Sequence, residues 1–325
     1  MGETVLVTGG LGLVGSHVSR ALVGESLKPV IYDLRHDTEL IPDVASACTI
    51  VNGGLEDLPR LISVIQEHRP VAILHFAALV GASVERYPWA ALNTNLVSSA
   101  AVFEAARLCG VQRVVMASSK MVYGPVEHRH RHPNYEPVTE THPREPQDLY
   151  GKLKRATEDL AAHYAQLYGL DIVALRFASS FGPGGANRHK VLLMRVVEAA
   201  IQNTPFHVEA GAEQCDHFCY SAEAANATLS VLQSPVEKGR FRAYNISSEE
   251  LFSLTQIISI LGDLYPHWEG SAGPGLDYRG MGLGHYFSMD TTRARTELRY
   301  EPRFAFRSAV EDYARLLRLI SPSGL

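Results

Sequence analysis

Cysteine is scarce: Cys48, Cys109, Cys215 and Cys219 are the only four in 325 residues. So few exclude a disulfide framework in a chain of this size. Cys215-Asp216-His217-Phe218-Cys219 is spaced like a metal motif, but no second ligand cluster lies near it. The thiols are therefore expected to be buried or half-buried on a strand, with no metal bound. No stretch reaches the roughly 18 apolar residues of a membrane span. The opening Met1-Gly2-Glu3-Thr4 passes into an apolar strand without a signal-type segment, so the expected location is the cytoplasm. An excess of one charge is also missing. The net charge is -5 with dispersed basic residues, which gives no case for nucleic acid as a partner. Repeats and low-complexity tracts are absent too. What is present is 46% hydrophobic content, enough for a large core or a domain with a smaller lobe.

Thr4 to Thr8 is a β-branched apolar run that ends in Gly9-Gly10-Leu11-Gly12-Leu13-Val14-Gly15, followed by helical apolar spacing from Ser16 to Val23. A strand, a glycine turn and a helix in that order suit a pyrophosphate. The glycines allow a tight turn and close approach, and the helix start offers free N–H groups and partial positive charge. A second strand, Pro29 to Asp33, ends in an acid 18 positions beyond Gly15. That acid can accept from both adenosine ribose hydroxyls and would repel a 2′-phosphate, which argues for NAD over NADP. Arg35 and His36 stand close enough to soften the preference.

Further strands are expected at Cys48 to Asn52, Val71 to Phe76, Val111 to Ala117 and Asp171 to Phe177, with helices at Asp57 to Arg69, Trp89 to Cys109 and Tyr150 to Tyr168. Continuous apolar strands alternating with helices predict an α/β fold, a parallel sheet covered on both faces. Small residues at Ala77 and Ala78 would let a cofactor lie against a strand end, and Ser118, Ser119 and Lys120 follow the fifth strand, where ligands sit in open α/β sheets. Residues 125 to 148 form a long proline-containing loop with the run His128-Arg129-His130-Arg131-His132. That run suits either an anionic substrate group or a solvated surface. Just after it, Tyr150 and Lys154 stand one helical turn apart, so that the ammonium favours the phenolate and fits the tyrosine for proton transfer. Beyond about residue 180 the pattern loosens, with Arg188, His189 and Lys190 expected to open a helix running to Gln202, and a glycine-rich loop from Gly270 to Gly284.

These segments together resemble the extended short-chain dehydrogenase/reductases, within them the NAD-dependent epimerase/dehydratase group. The match rests on VTGGLGLVGSH, the acid of IYD, HFAA, ASSKMVYG, YGKLK and ALRFASSFGPG in order across residues 1 to 185, and more weakly on HFCYSAEAANA and MDTTRARTELRYEP. The resemblance implies a Rossmann-type doubly wound sheet over residues 1 to 180 that binds NAD and carries the catalytic residues. Residues 181 to 325 would form a smaller C-terminal substrate-binding lobe interleaved with it. It implies Tyr150 as acid/base, Lys154 as the residue that lowers its pKa and holds the nicotinamide ribose, and Ser119, four before Tyr123, as the donor to the reacting oxygen. The cofactor set implied is Gly9, Gly12, Leu13, Val14, Gly15, Asp33, Leu55, Phe76, Ala77, Ala78 and Asn95 with Tyr150 and Lys154, and the substrate set Ser119, Lys120, Ser179 and Arg188. Family members often pair through the helices at 89 to 109 and 150 to 168, so a homodimer is expected.

Departures from the family pattern narrow the reaction. Lys120 and Met121 stand where sugar dehydratases and decarboxylases keep acids, so neither can supply an elimination acid. Ser179 replaces an Asn common in nucleotide-sugar epimerases, Gly54 an acid that touches adenine, and Asp216-His217 an Arg-Asp pair. The cofactor site is left largely intact, and the nucleotide-diphosphate end of a substrate is put in question. The expected activity is epimerisation of a sugar nucleotide or related activated sugar by transient oxidation at one carbon. The alternatives are net oxidation or reduction of a small hydroxylated compound such as a sugar acid, and nucleotide sensing without catalysis.

Overall fold

The structure, a computed structural model, describes residues 2–185 and 191–321. In chain order the first elements are β1 (Thr4–Thr8), α1 (Leu13–Gly24), β2 (Lys28–Asp33), β3 (Thr49–Asn52), α2 (Leu58–His68) and β4 (Ala72–His75). Then come α3 (Ala82–Arg86), α4 (Pro88–Leu92), α5 (Ser98–Cys109), β5 (Arg113–Ser119), α6 (Leu149–Tyr168), β6 (Asp171–Phe177) and β7 (Ser179–Phe181). The remainder is α7 (Leu192–Ile201), β8 (Phe206–Val208), β9 (Cys215–Tyr220), α8 (Ser221–Gln233), β10 (Phe241–Ile246), β11 (Leu251–Ser253), α9 (Leu254–Leu264), β12 (Gly270–Ala272), α10 (Thr292–Leu298) and α11 (Phe306–Ile320).

Seven strands form one parallel sheet in the order β10-β6-β5-β4-β1-β2-β3. The order reverses between β1 and β4, which opens the crevice at their carboxyl ends where doubly wound sheets take ligands. Strand β6 is buried along its whole length, as a central parallel strand requires. One face packs α1 and α8 around Val18, Leu22 and Ala224, and the other packs α2, α5 and α6 around Leu61, Phe103 and Ala161. The contribution of β10 and α8 to this body explains why no linker is legible near residue 180. A third core, with Val197, Phe252 and Tyr313, gathers α7, α9 and α11 around the three-stranded sheet β11-β9-β7 and the pair β12-β8.

Local chemistry explains several boundaries. Asp57 caps α2 by accepting from Arg60 N at 3.0 Å, and Asp148 caps α6 by accepting from Gly151 N at 2.8 Å. Gly169 ends α6 at φ 73°, a left-handed conformation that glycine adopts without strain. The helix expected from Trp89 to Cys109 is interrupted by a π turn at Asn93–Val97. That turn puts Asn95 inside, where its side chain accepts from Leu79 N at 2.8 Å and donates to Leu79 O at 2.9 Å. A wide turn held by a polar clamp is a common signature of a functional region. Strand β5 runs two residues later than its apolar pattern suggests, because Ser118 and Ser119 pair with Arg176 and Phe177 of β6. Helix α7 begins at Leu192, and the expected helical start at Arg188, His189 and Lys190 lies outside the described residues. The glycine-rich stretch from Gly270 contains β12 and a 3-10 turn at Leu283–His285.

Among the described residues no helix is long and apolar enough to cross a membrane, and no three His, Cys, Asp or Glu side chains are grouped to hold a metal. Cys215 and Cys219 are unpaired thiols on β9, half-buried and buried respectively.

Candidate active site

The glycine turn is built for a close visitor. Gly9 has φ 70°, and a Cβ added there would fall 2.5 Å from Ala77 N; one at Gly15 would fall 2.1 Å from Gly9 O. Only glycine permits both the turn and the approach of the β4 exit at Ala77 and Ala78. Helix α1 starts at Leu13 behind Gly12 with no side chain capping it, so the first-turn amides of Leu13 and Val14 point outward, as an anion requires. Asp33 closes the far side, accepting from Leu11 N at 3.1 Å and Arg35 N at 3.0 Å. The Arg35 guanidinium is gripped by both oxygens of Asp37 at 2.8 and 2.7 Å, which answers its expected pull on a 2′-phosphate. Leu55 is buried below, and the Glu56 carboxylate folds over Gly54. These residues fit the adenosine and pyrophosphate of a dinucleotide.

The chemistry-bearing side chains meet at the carboxyl end of β5. Lys154 reaches down to donate to Ala117 O at 2.7 Å, and its Nζ lies 5.8 Å from the centre of the Tyr150 ring. The Ser119 hydroxyl accepts from Met121 N at 3.2 Å and lies close enough to the Tyr150 phenol to favour its ionised form. Beneath them His75 is fully enclosed, bonded to Thr8 Oγ1 at 2.7 Å and Ser99 Oγ at 2.9 Å. Its partners link β4 to the strand carrying the glycine turn, so the tyrosine centre and the phosphate cradle share one floor.

Electrostatics differ from the expectation drawn from helical spacing. Burial pushes the Tyr150 phenol up to about 12, against a downward pull from the Ser119 hydrogen bond and with an upward push from Asp148. Burial likewise brings the Lys154 ammonium down to about 8, with Glu158 opposing. Burial of Lys154 and partial burial of Tyr150 outweigh the mutual effect that one-turn spacing alone suggests, because removing a charge from water costs more than one neighbour returns.

The substrate-side residues are divided by the fold. Lys120 is buried, with Nζ 2.5 Å from Asp216 Oδ1, so it is held by a carboxylate and does not stand free for a substrate. Ser179 donates to Asp216 Oδ2 at 2.9 Å, and Arg279 Nη1 approaches the same oxygen at 3.1 Å. Arg188 lies outside the described residues. Asn95 holds the backbone at Leu79, so its bearing on the cofactor passes through the loop after Ala78. Sequence reasoning missed Arg279, hidden in the glycine-rich loop, and Glu158, whose signal was its position one turn beyond Lys154. The basic run divides as well: His130 turns inward with Nδ1 2.7 Å from Glu136 O, while His128, Arg129 and Arg131 line an open cavity of about 510 Å³ with Val126 and Glu127. The loop from 125 to 148 is tied down, by Tyr135 Oη to Gln214 at 2.7 Å and by Val138 N to Ser288 O at 2.9 Å.

Residues 5–247 match the NAD dependent epimerase/dehydratase family. The chain belongs to that family. A UDP-glucose 4-epimerase of Rhizobium leguminosarum bv. trifolii is 34% identical over 183 residues, 56% of this chain and 53% of that protein. The chain thus matches about half the length of this relative. A UDP-glucose 4-epimerase of Corynebacterium glutamicum is 27% identical over 277 residues, 81% of this chain and 80% of the relative. The crystal structure of a UDP-glucose-4-epimerase from Stenotrophomonas maltophila with bound NAD and formylated UDP-arabinopyranose superposes with a TM-score of 0.84 over 99% of this chain and 100% of that one, at 24% identity. This likeness establishes the Rossmann-type fold. NAD, the dinucleotide of the epimerase/dehydratase family, suits the glycine cradle and Asp33 described above.

Proposed function

We propose that this protein is an NAD-dependent epimerase of a sugar nucleotide or related activated sugar, with Tyr150 as acid/base. The observation that carries the reading is the convergence of Tyr150, Ser119 and Lys154 over the β5 end, on the same floor as the glycine cradle. NAD, when bound, supplies a reversible hydride acceptor. Tyr150 holds the proton of the reacting hydroxyl, Ser119 donates to the same oxygen as it gains carbonyl character, and Lys154 places positive charge beneath the phenol so that its ionised form is tolerated. Lys120 and Met121 offer no acid for elimination, which favours return of the hydride over dehydration. Ser179 and Arg279 stand at the edge of this centre, and residues 181–325 act mainly as the substrate-holding lobe.

Purified enzyme should retain NAD and interconvert two epimers without net NADH. Stoichiometric NADH release would overturn epimerisation and favour a second reading, dehydrogenation of a small hydroxylated substrate such as a sugar acid. The observation behind that second reading is Asp216: a buried carboxylate between Lys120 and Arg279 cancels charge that a diphosphate would otherwise meet. We also infer a homodimer, because Trp89, Val97, Leu108 and Leu167 on the outer faces of α4 to α6 are exposed apolar side chains. Sedimentation measurements showing a monomer at micromolar concentration would exclude it.

A further inference from the structure

Glu158 accepts four hydrogen bonds, and the chemistry above leaves it without a task. It is fully enclosed on α6, one turn beyond Lys154. Its Oε1 accepts from Ser118 Oγ at 2.6 Å and Arg176 Nε at 2.9 Å, and its Oε2 from Arg176 Nη2 at 2.7 Å and Arg144 Nη1 at 3.0 Å. Those partners come from three different segments. Ser118 directly precedes Ser119 on β5, Arg176 lies on β6, and Arg144 belongs to the loop that leads into Tyr150. Arg176 continues the network to Tyr123 Oη at 2.9 Å, and Tyr123 to Asn245 Oδ1 at 2.6 Å.

The helix therefore docks on the strand end at two adjacent points. Lys154 binds Ala117 O and Glu158 binds Ser118 Oγ, the two residues directly before Ser119. Because α6 also carries Tyr150, the separation of Tyr150 and Ser119 is set by these two anchors. We propose that Glu158 is the positioning residue that locks the Tyr150/Lys154 helix in register with Ser119 and, one helical turn away, places a negative charge near the Lys154 ammonium. The inference rests on the acid/base reading of Tyr150 and Lys154.

The charged surroundings of Lys154 make the second half testable. Glu158 faces it from its own helix, Tyr150 lies above, the Ala117 carbonyl accepts from it on β5, and His75 below is held neutral by burial. Arg176 and Arg144 are paired with Glu158, while this lysine's own contact is to Ala117. Without the carboxylate, Lys154 keeps its enclosure and its bond to Ala117 O but loses the one anionic group that favours its charged form, so it gives up its proton at lower pH.

The test compares wild type with Glu158→Gln, Glu158→Asp and the control Asp159→Asn, which removes the half-exposed carboxylate that shares Arg144. NAD affinity and turnover are measured from pH 6 to 10. In Glu158→Gln the alkaline loss of NAD affinity should move down by about one pH unit, and kcat should fall about 10- to 100-fold with little change in KM. Glu158→Asp keeps the charge but shortens the reach, so it should restore the position of the alkaline limb while kcat stays low. Asp159→Asn should match wild type. Should Glu158→Gln not fold, Ser118→Ala removes only the strand anchor and should lower kcat several-fold with the alkaline limb unmoved. A lowered melting temperature with unchanged kcat and coincident pH curves would overturn the proposal and leave Glu158 purely structural. The NAD titration needs no sugar, so a wrong assignment of the reaction would show separately, as absent wild-type turnover with intact NAD binding.

Discussion

The Lys120 ammonium and the Asp216 carboxylate are 2.5 Å apart, and both side chains are buried beside the strand end that carries Ser119. With Arg279 on the other carboxylate oxygen, two cations share one anion. Removing the carboxylate strands a buried ammonium, so Asp216→Ala should destabilise the fold by about 3–5 kcal/mol in urea denaturation. The pair itself need not be net stabilising, since desolvation of both ions offsets their attraction. Lys120→Met combined with Asp216→Leu should therefore recover most of the loss. A double variant as unstable as Asp216→Ala would show that Ser179 and Arg279 depend on the carboxylate more than Lys120 does.

Tyr150→Phe removes one hydroxyl from a half-buried side chain and little else. General acid/base groups contribute about 10²- to 10⁴-fold, so kcat should drop by that factor while NAD binding persists. Steady-state kinetics and an NAD titration on the same sample decide the matter. A variant retaining near wild-type kcat would remove Tyr150 from the acid/base role.

How much of this was legible in the sequence follows from how local each cause is. The glycine turn between β1 and α1, Asp33 at the end of β2 and the one-turn spacing of Tyr150 and Lys154 on α6 are local features, and their positions in the fold follow from the chain immediately around them. Lys120 and Asp216 are 96 positions apart, and Arg279 sits in a loop with no periodicity, so their meeting is a product of packing. The same holds for Asn95, whose inward turn depends on Leu79, and for β10, whose short run gives no sign that it extends the first sheet. The direction in which Tyr150 titrates was also hidden, because it depends on burial and not on the lysine one turn away.

Acid should weaken the fold through histidines enclosed as neutral rings. Burial lowers His75 and His17 to about 3 and His217 to about 4, with nearby Lys154 adding to the effect on His75 and Arg20 to that on His17. A depressed histidine contributes nothing to the pH dependence above its unfolded value near 6.5. Below that value the unfolded chain takes up the proton that the folded ring refuses, and stability falls until the folded pKa is reached. At pH 5 each of the three should have cost roughly 2 kcal/mol relative to neutral pH. Urea midpoints measured from pH 7.5 to 5 should decline accordingly, and His75→Gln should flatten the decline by one histidine's share. A midpoint that does not move across this range would mean that the rings reach water when protonated.

Asp33 should decide between the two dinucleotides. Its oxygens already accept from Leu11 N and Arg35 N, so the carboxylate is fixed in place at the end of β2 before any ribose arrives. A hydrogen bond to a charged group contributes about 1.5–3 kcal/mol, so losing the carboxylate in Asp33→Ser should weaken NAD about 10- to 100-fold. NADP should gain by comparison, because the repulsion of a 2′-phosphate disappears along with the acceptor. Arg35 sets the size of that gain: while its Nε and Nη2 remain on Asp37 it offers the phosphate little, and adding Asp37→Ala to Asp33→Ser should release it and raise NADP affinity further. Titration of both cofactors against the single and double variants separates the two effects. Unchanged selectivity in Asp33→Ser would show that the ribose hydroxyls are read elsewhere, and a double variant no better for NADP than the single would show that Arg35 points away from the 2′-position even when freed.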